Sequence, residues 1–485
     1  LAASAIAGPA LADGGYYTGP LGPRAAGRGG AFVARADDLT AVSINPAGLS
    51  ELEGTTIQLG NQSAYYGYDY TRAPTLDYGN EQNGVPPPVT FGKVSNGTPW
   101  QLPLPFLGVA SRLGLRDWAF ALAAFAPPGI SREQFPAADG QRFMMVDRQA
   151  IILDYAASAA WRYHDLFGLG LTLEWITVPR LDYSLVIDAS PLAGTAYPVS
   201  GPYDILAQTT GSDWLTFNAI VGGWYRPRPW LEFGFAGQVI PANIVTHSSL
   251  ALEPQDTSRI SSVTTGRNGN AANDVKITLP LPLMARAGVR YRHLRGASEL
   301  YDLELDVEYE SWSRANAFTL DTNGLVATPQ GNLASSPVPL GQIQIAKHWN
   351  DVTSVKLGGD LNLVPERWTV RAGAYYETAV APAAYANVDF PGAQVFGAAL
   401  GGSFFVSKLE IALTYQLRYQ PSFSVSEANG RVYQQVPASA CQAPYTDPNT
   451  CNPNYLGQPS PTVNAGTYAS TSHLVSLAFI YRYGK

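Results

Sequence analysis

Long apolar runs are missing from this chain. Nowhere in its 485 residues do about 18 apolar side chains follow one another, the length a transmembrane helix needs, so no such helix is available. Charge is scarce as well: Asp, Glu, Lys and Arg make up 14% of the residues and leave a net charge of −7. That balance excludes a nucleic-acid partner, because phosphate binding needs clustered cations. The five histidines, His164, His247, His293, His348 and His473, are scattered without metal-ligand spacing. No serine sits in a nucleophile-elbow pattern. No metal, no cofactor and no catalysis are therefore expected. Cysteine is limited to Cys441 and Cys451, in one polar segment rich in Pro, Asn and Gln. In an exported protein two cysteines so close in one loop form a disulfide or stay unpaired; the disulfide is the expectation.

What is present is alternation. Tyr301, Leu303, Leu305, Val307 and Tyr309 are apolar, and Asp302, Glu304, Asp306, Glu308 and Glu310 between them are all carboxylates. A strand sends successive side chains to opposite faces, so one face is apolar and the other acidic. Lys408 to Gln420 does the same, with Leu409, Ile411, Leu413, Tyr415, Leu417 and Tyr419 on one side. A soluble all-β protein could show this once or twice. Repeated along a whole chain, it points to a transmembrane antiparallel β-barrel with lipid outside and water inside.

Strand patterns fall near 55–66, 102–113, 118–126, 148–162, 167–178, 213–226, 230–245, 275–292, 300–313, 351–363, 367–378, 394–406, 408–420 and 472–483, about fourteen in all. The gaps alternate. Short ones fall at 114–117, 163–166, 227–229, 293–299, 364–366 and around Ser407. Long ones fall at 67–101, 127–147, 179–212, 246–274, 314–350, 379–393 and 421–471. Short turns on one side and long loops on the other are the habit of outer-membrane barrels, here of a Gram-negative bacterium. An even strand number brings both barrel ends to the periplasmic side. The first and last strands must pair, because unpaired amides in hydrocarbon are costly. The last strand carries Val475, Leu477, Phe479, Tyr481 and Tyr483 on one face, as in barrels handed to insertion machinery, though Gly484 and Lys485 follow the final aromatic.

The lumen should hold charge. Folding back through the turn at 293–299 places Arg292 beside Asp302, Arg290 beside Glu304 and Arg286 beside Glu308, with Asp306 in the same row. These either pair across the hairpin or are solvated separately. At the N-terminus, Leu1 to Ala12 is small and apolar and ends Ala10-Leu11-Ala12, which reads as the remnant of a secretory signal, with the mature chain beginning at Asp13. Arg24 to Leu52 lacks alternation. Asp37 or Asp38 can cap a short helix over Leu39 to Ile44, and Asn45-Pro46 is a second helix start. A compact helical piece before a barrel goes into the bore as a plug, or hangs outside it as a tail.

The run from Gly27 through Asp37-Asp38 to Asn45-Pro46-Ala47-Gly48-Leu49 resembles the N-terminal hatch of FadL-type long-chain fatty-acid transporters, a group that includes relatives importing toluene and other monoaromatics. Leu279 to Met284 with Gly288 to Tyr291, Asp306 to Ser313, His348 to Asp351 leading to Lys356-Leu357-Gly358, and Trp368 to Gly373 with Tyr375-Tyr376 resemble further pieces of that family, in order along nearly the whole chain. The resemblance implies an all-β barrel of fourteen strands over 55–485, closed by a helical hatch over 13–54 that includes Asp37, Asp38, Asn45, Pro46 and Ala47. It implies passive uptake of a hydrophobic compound through an extracellular groove and a hatch-adjacent pocket. It also implies lateral exit at a kink in the third strand, where this chain has Pro127-Pro128-Gly129. Proline donates no ladder hydrogen bond, so a wall gap is expected there, unless these residues simply begin the loop 127–147.

Other candidates have two readings each. Tyr16 and Tyr17 line the pocket or pack the plug. Phe106, Phe143, Met144 and Met145 offer an apolar groove, or belong to a loop's own core. A fatty-acid carboxylate would want a buried cation, for which Arg148 and Lys347 are candidates. The expected partners are a hydrophobic small molecule and outer-membrane lipids, with the protein a monomer. A general diffusion porin and an adhesive surface barrel are the competing readings.

Overall fold

In the computed structural model, the described residues are 19–77, 80, 82, 84–193, 199, 201–296, 298–332, 337–365, 367–390, 392–434 and 462–484. The expectations for 1–12, Tyr16, Tyr17, Cys441 and Cys451 lie outside them.

Fourteen antiparallel strands close into one barrel. They are β1 (Thr55–Arg72), β2 (Lys93–Ser95 and Leu104–Ser111), β3 (Trp118–Phe125 and Arg132–Gln134), β4 (Asp147–Tyr163), β5 (Phe167–Asp188), β6 (Asp204–Arg228) and β7 (Leu231–Gln238 and Asn243–Pro254). The second half comprises β8 (Asp274–Pro280 and Met284–Arg295), β9 (Ser298–Glu310 and Ala317–Asp321), β10 (Ile343–Ala346 and Val352–Val364), β11 (Trp368–Glu377), β12 (Val395–Val406), β13 (Leu409–Val425) and β14 (Gly466–Tyr483). Each strand pairs with the next, and β1 pairs with β14 from Thr55↔Tyr483 to Arg72↔Gly466, so no sheet edge faces lipid.

Alternation sorts the side chains as the solvents require. On β9, Leu303, Leu305, Val307 and Tyr309 are exposed on the outer surface, while Asp302, Glu304, Asp306 and Glu308 are buried within. Trp118, Tyr163, Trp230, Tyr301, Trp368 and Tyr483 ring the short-turn end on the outside, an interfacial aromatic girdle.

Several strands run further than alternation foretells. β5 continues to Asp188, β6 starts at Asp204 and β14 at Gly466, all inside segments that read as long loops. Above the lipid, water wets the outer face, so nothing demands apolar residues at every second position. Interruptions follow one another from strand to strand between the two regimes: β3 after Phe125, β4 at Ile151/Leu153, β6 between Gly211 and Thr216, β7 after Gln238, β8 after Pro280, β9 after Glu310 and β10 after Ala346. Bulges of this kind gather at barrel rims. Beyond them, Ile260–Arg267, Asn270–Ala271, Val326–Gly331 and Val338–Pro339 make a separate four-stranded sheet from two long loops.

Residues 19–54 lie inside the barrel. They form helix α1 (Pro23–Gly27), helix α2 (Ala41–Ile44) and a 3-10 turn at Pro46–Glu51. Thr40, rather than Asp37 or Asp38, holds the N-cap position of α2; Asp38 instead accepts from the Thr40 N–H at 2.8 Å, and Asp37 pairs with Arg24 and Arg35. The Asn45 side chain does cap the 3-10 turn, accepting from the Ala47 N–H at 3.2 Å.

Candidate functional site

The inner segment is docked from two sides. Leu39, Val42 and Leu49 pack with Phe106, Ala110, Ala119, Ala121, Phe125 and Ala156 on the inner faces of β2, β3 and β4. Phe106 thus serves the core around the inner segment. The opposite side is ionic. Arg28, fully buried, meets Asp302 at 2.9 Å, Glu304 at 2.8 Å and Asp360 at 2.9 Å. Asp306 accepts the N–H groups of Phe32 (2.7 Å) and Val33 (2.9 Å), and Glu304 that of Ala34 (2.6 Å). Burial works against the charged form of Asp37, but Arg24 and Arg35 outweigh it and hold its carboxyl well below the usual carboxylate range. Burial pushes the Asp38 carboxyl up.

The register of β8 on β9 sets Arg292 opposite Asp302, Arg290 opposite Glu304 and Arg286 opposite Glu308. The contacts are distributed differently. Arg286 reaches Glu308 at 2.8 Å, which also meets Lys356. Arg290 meets Asp302, Glu299 and Glu232, and Arg292 meets Glu299. Glu304 and Asp306 are taken by the inner segment, whose arginines displace the cross-strand pattern.

Where the inner segment passes, the wall is stripped of side chains. A Cβ on Gly373 of β11 would lie 2.0 Å from the Arg28 carbonyl carbon, and one on Gly222 of β6 would lie 2.1 Å from Asn45 Oδ1. Glycine is what permits this approach of two backbones.

Above the inner segment lies an apolar cavity of about 260 Å³. Its wall includes Leu153, Val178, Leu181, Leu185, Ile205, Ile244, Leu250, Ile277, Leu320 and Ile345, and it reaches Val263, Ala327 and Val338 of the four-stranded sheet. At its other end it meets Pro127 and Gly129, while Pro128 is buried beside them and does not line it.

These residues lie between the two stretches of β3. β3 stops at Phe125, opposite Asp154 of β4, and resumes at Arg132, opposite Gln149. Across the interruption the hydrogen bonds pass to side chains. Gln101 Oε1 accepts from the backbone N–H of Ser131 (2.8 Å) and Arg132 (3.0 Å) and from the Ser131 hydroxyl (3.0 Å); its Nε2 donates to the carbonyls of Thr98 and Arg132, both at 3.0 Å. Asn96 Oδ1 accepts from Gln134 N–H at 3.2 Å. The resumed strand thus meets the segment between the two stretches of β2 through these side chains and through a backbone bond from the Gly97 N–H to the Gln134 carbonyl at 2.8 Å.

Of the two candidate cations, Arg148 lines the cavity and Lys347 does not. Arg148 Nη2 meets Glu133 Oε2 at 2.5 Å, and its guanidinium stacks 4.2 Å from the Phe390 ring centre. Lys347 is enclosed behind that wall: it pairs with Asp389 at 2.5 Å and stands 4.6 Å from the Phe318 ring. Phe143, Met144 and Met145 are buried with Phe135 against Tyr66, Tyr68 and Tyr70 of β1 and Tyr468 of β14 and do not line the cavity; they pack a loop onto these strands rather than forming a core of the loop alone. Glu133, Asp389, Gln101 and Arg28 carry no motif that singles them out in the sequence.

The closed barrel, the enclosed N-terminal segment and the apolar cavity together are the architecture of an outer-membrane β-barrel protein. Residues 9–443 match the family described as outer membrane protein transport protein (OMPP1/FadL/TodX), and the chain belongs to that family of outer-membrane transporters of hydrophobic compounds. Among solved structures, a Pseudomonas aeruginosa FadL homologue superposes with a TM-score of 0.72 at 17% identity, covering 97% of this chain and 100% of that one. The Pseudomonas putida toluene transporter TodX gives 0.60 at 12% identity, covering 97% and 99%. The Ralstonia pickettii toluene transporter TbuX gives 0.57 at 14% identity, covering 97% and 99%. At these identities the likeness is one of fold. A comparison with curated protein sequences finds no match.

Proposed function

We propose that the protein takes up long-chain fatty acids or related hydrocarbons passively, through the apolar cavity and out sideways at the interruption of β3. The observation that carries this reading is the continuity of the cavity, from the extracellular sheet to Pro127 and Gly129. In this reading the segment 13–54, with Asp37, Asp38, Asn45, Pro46 and Ala47, is the hatch that closes the bore. The loop residues around Val263 and Val338 are the entrance. Pro127, Pro128 and Gly129 are the exit, and Arg148 meets a polar head group.

A sideways route has a physical reason. Hydrocarbon led through a watery bore would be exposed at roughly 0.8 kcal/mol per CH₂. A slot in the wall passes it from apolar cavity to lipid without that exposure.

Replacing Pro127 and Pro128 together with threonine restores two ladder donors. Uptake of radiolabelled oleate by cells should fall at least tenfold while the barrel still folds and inserts. Unchanged uptake in correctly folded protein would remove the exit from β3.

A further inference from the structure

The charges around the cavity already cancel. Arg148 is matched by Glu133 and Lys347 by Asp389, all four side chains nearly or fully buried. A carboxylate brought to Arg148 would be the third anion on two cations, in a chamber walled by leucine and isoleucine. An uncompensated charge in such surroundings is costly, and a proton is the counter-charge available everywhere.

The hydrogen bonds say where that proton goes. Asp389 is fully engaged: Lys347 Nζ bonds both its oxygens, Tyr183 Oη donates to Oδ2 at 3.2 Å, and the Phe390 N–H donates to Oδ1 at 2.8 Å. Glu133 has one bonded oxygen, while its Oε1 is buried with no donor among the described residues. On the other side of the pair, Arg148 Nε is buried without an acceptor among the described residues. The groups facing Glu133 are Arg148 from β4, Tyr68 from β1, Tyr183 from β5 and Asp389 from the segment between β11 and β12. None of the tyrosines titrates near neutrality.

We propose that Glu133 determines specificity in this cavity by taking up one proton when a carboxylate head group reaches Arg148. The cargo stays an anion and accepts N–H bonds from Arg148. An O–H bond forms at Glu133 Oε1, with the proton drawn from solvent. Acids then enter with a proton and neutral hydrocarbons without one. The inference rests on the cavity being the cargo path.

The test is calorimetric, on the full chain in a non-ionic detergent at pH 8, with dodecanoate and dodecanol as probes. Titrations in two buffers of different ionisation enthalpy count the protons. Dodecanoate should bind with uptake of about one proton and weaken about tenfold per pH unit above that; dodecanol should bind with none. Glu133→Gln should bind dodecanoate without proton uptake and without that pH dependence. No uptake in the wild type, or the same uptake in Glu133→Gln, overturns the proposal, and the wild-type count needs no variant to fold. Dodecanol binding without dodecanoate overturns the head-group assignment and leaves the cavity standing. Binding of neither probe overturns the cavity reading itself.

Discussion

Arg28 shows how one side chain can fix a whole segment. Three carboxylates from β9 and β10 converge on it, and none of them keeps water. Arg28→Ala leaves them buried without that cation, a change expected to cost about 3–5 kcal/mol in seating of the inner segment. The measurement is current through the protein in a planar bilayer. Steady conductance should appear in the variant, and silence at unchanged thermal stability would refute the role. Asp37 gives this docking a pH limit. Its carboxyl is depressed in the folded protein, so its contribution is complete above the unfolded value near 3.9 and is lost only as pH falls through the lower folded value. The ties of Asp37 to Arg24 and Arg35 should therefore persist at pH 4.5, read as unchanged protease protection of the chain around Asp37. Sequence pattern placed Arg286, Arg290 and Arg292 opposite their acids, because a hairpin fixes register locally. It missed that Glu304 and Asp306 serve Arg28 and the backbone at Phe32, because those partners lie some 270 positions away.

At the scale of the element, all fourteen strands were legible where lipid imposes alternation, and their outer extensions were not, because water on both faces imposes none. The interruption of β3 was legible in Pro127 and Pro128, since proline lacks the donor a ladder needs. How the interruption is held was not legible: it depends on Gln101, an amide between the two stretches of β2 that carries hydrogen bonds a strand would otherwise carry. Gln101→Leu strands the amides of Ser131 and Arg132. The resumed strand should then shift and pair with β2. Oleate uptake by cells is expected to drop several-fold while dodecanol binding by the purified protein persists. Loss of both together would mean a folding defect, and loss of neither would dismiss the strut. The glycine positions make a sharper case. Gly373→Val puts branched carbons where the Arg28 backbone lies, so barrel formation should survive, judged by slow mobility without boiling, while the inner segment becomes protease-sensitive.

For the whole molecule, class and topology followed from one repeated pattern, because a closed sheet between lipid and water leaves few alternatives. The cavity did not follow. Its walls come from β2 through β10 and the loops between strands, and only tertiary packing brings those together. The competing porin reading is separated by conductance: wild-type protein should show no large steady current, and finding one would defeat the transporter reading. The seam between β1 and β14 carries a consequence for biogenesis. Its eighteen residue pairs join the first strand of the wall to the last, so the cylinder cannot shut before β14 is in place. Residues 19–54 run directly into β1, and their berth lies on β9, β10 and β11, strands that precede the seam-closing one in the chain. A wall that closes last can be wrapped around its contents, as a cooper sets staves about a filled cask, with no need to thread them through a finished mouth.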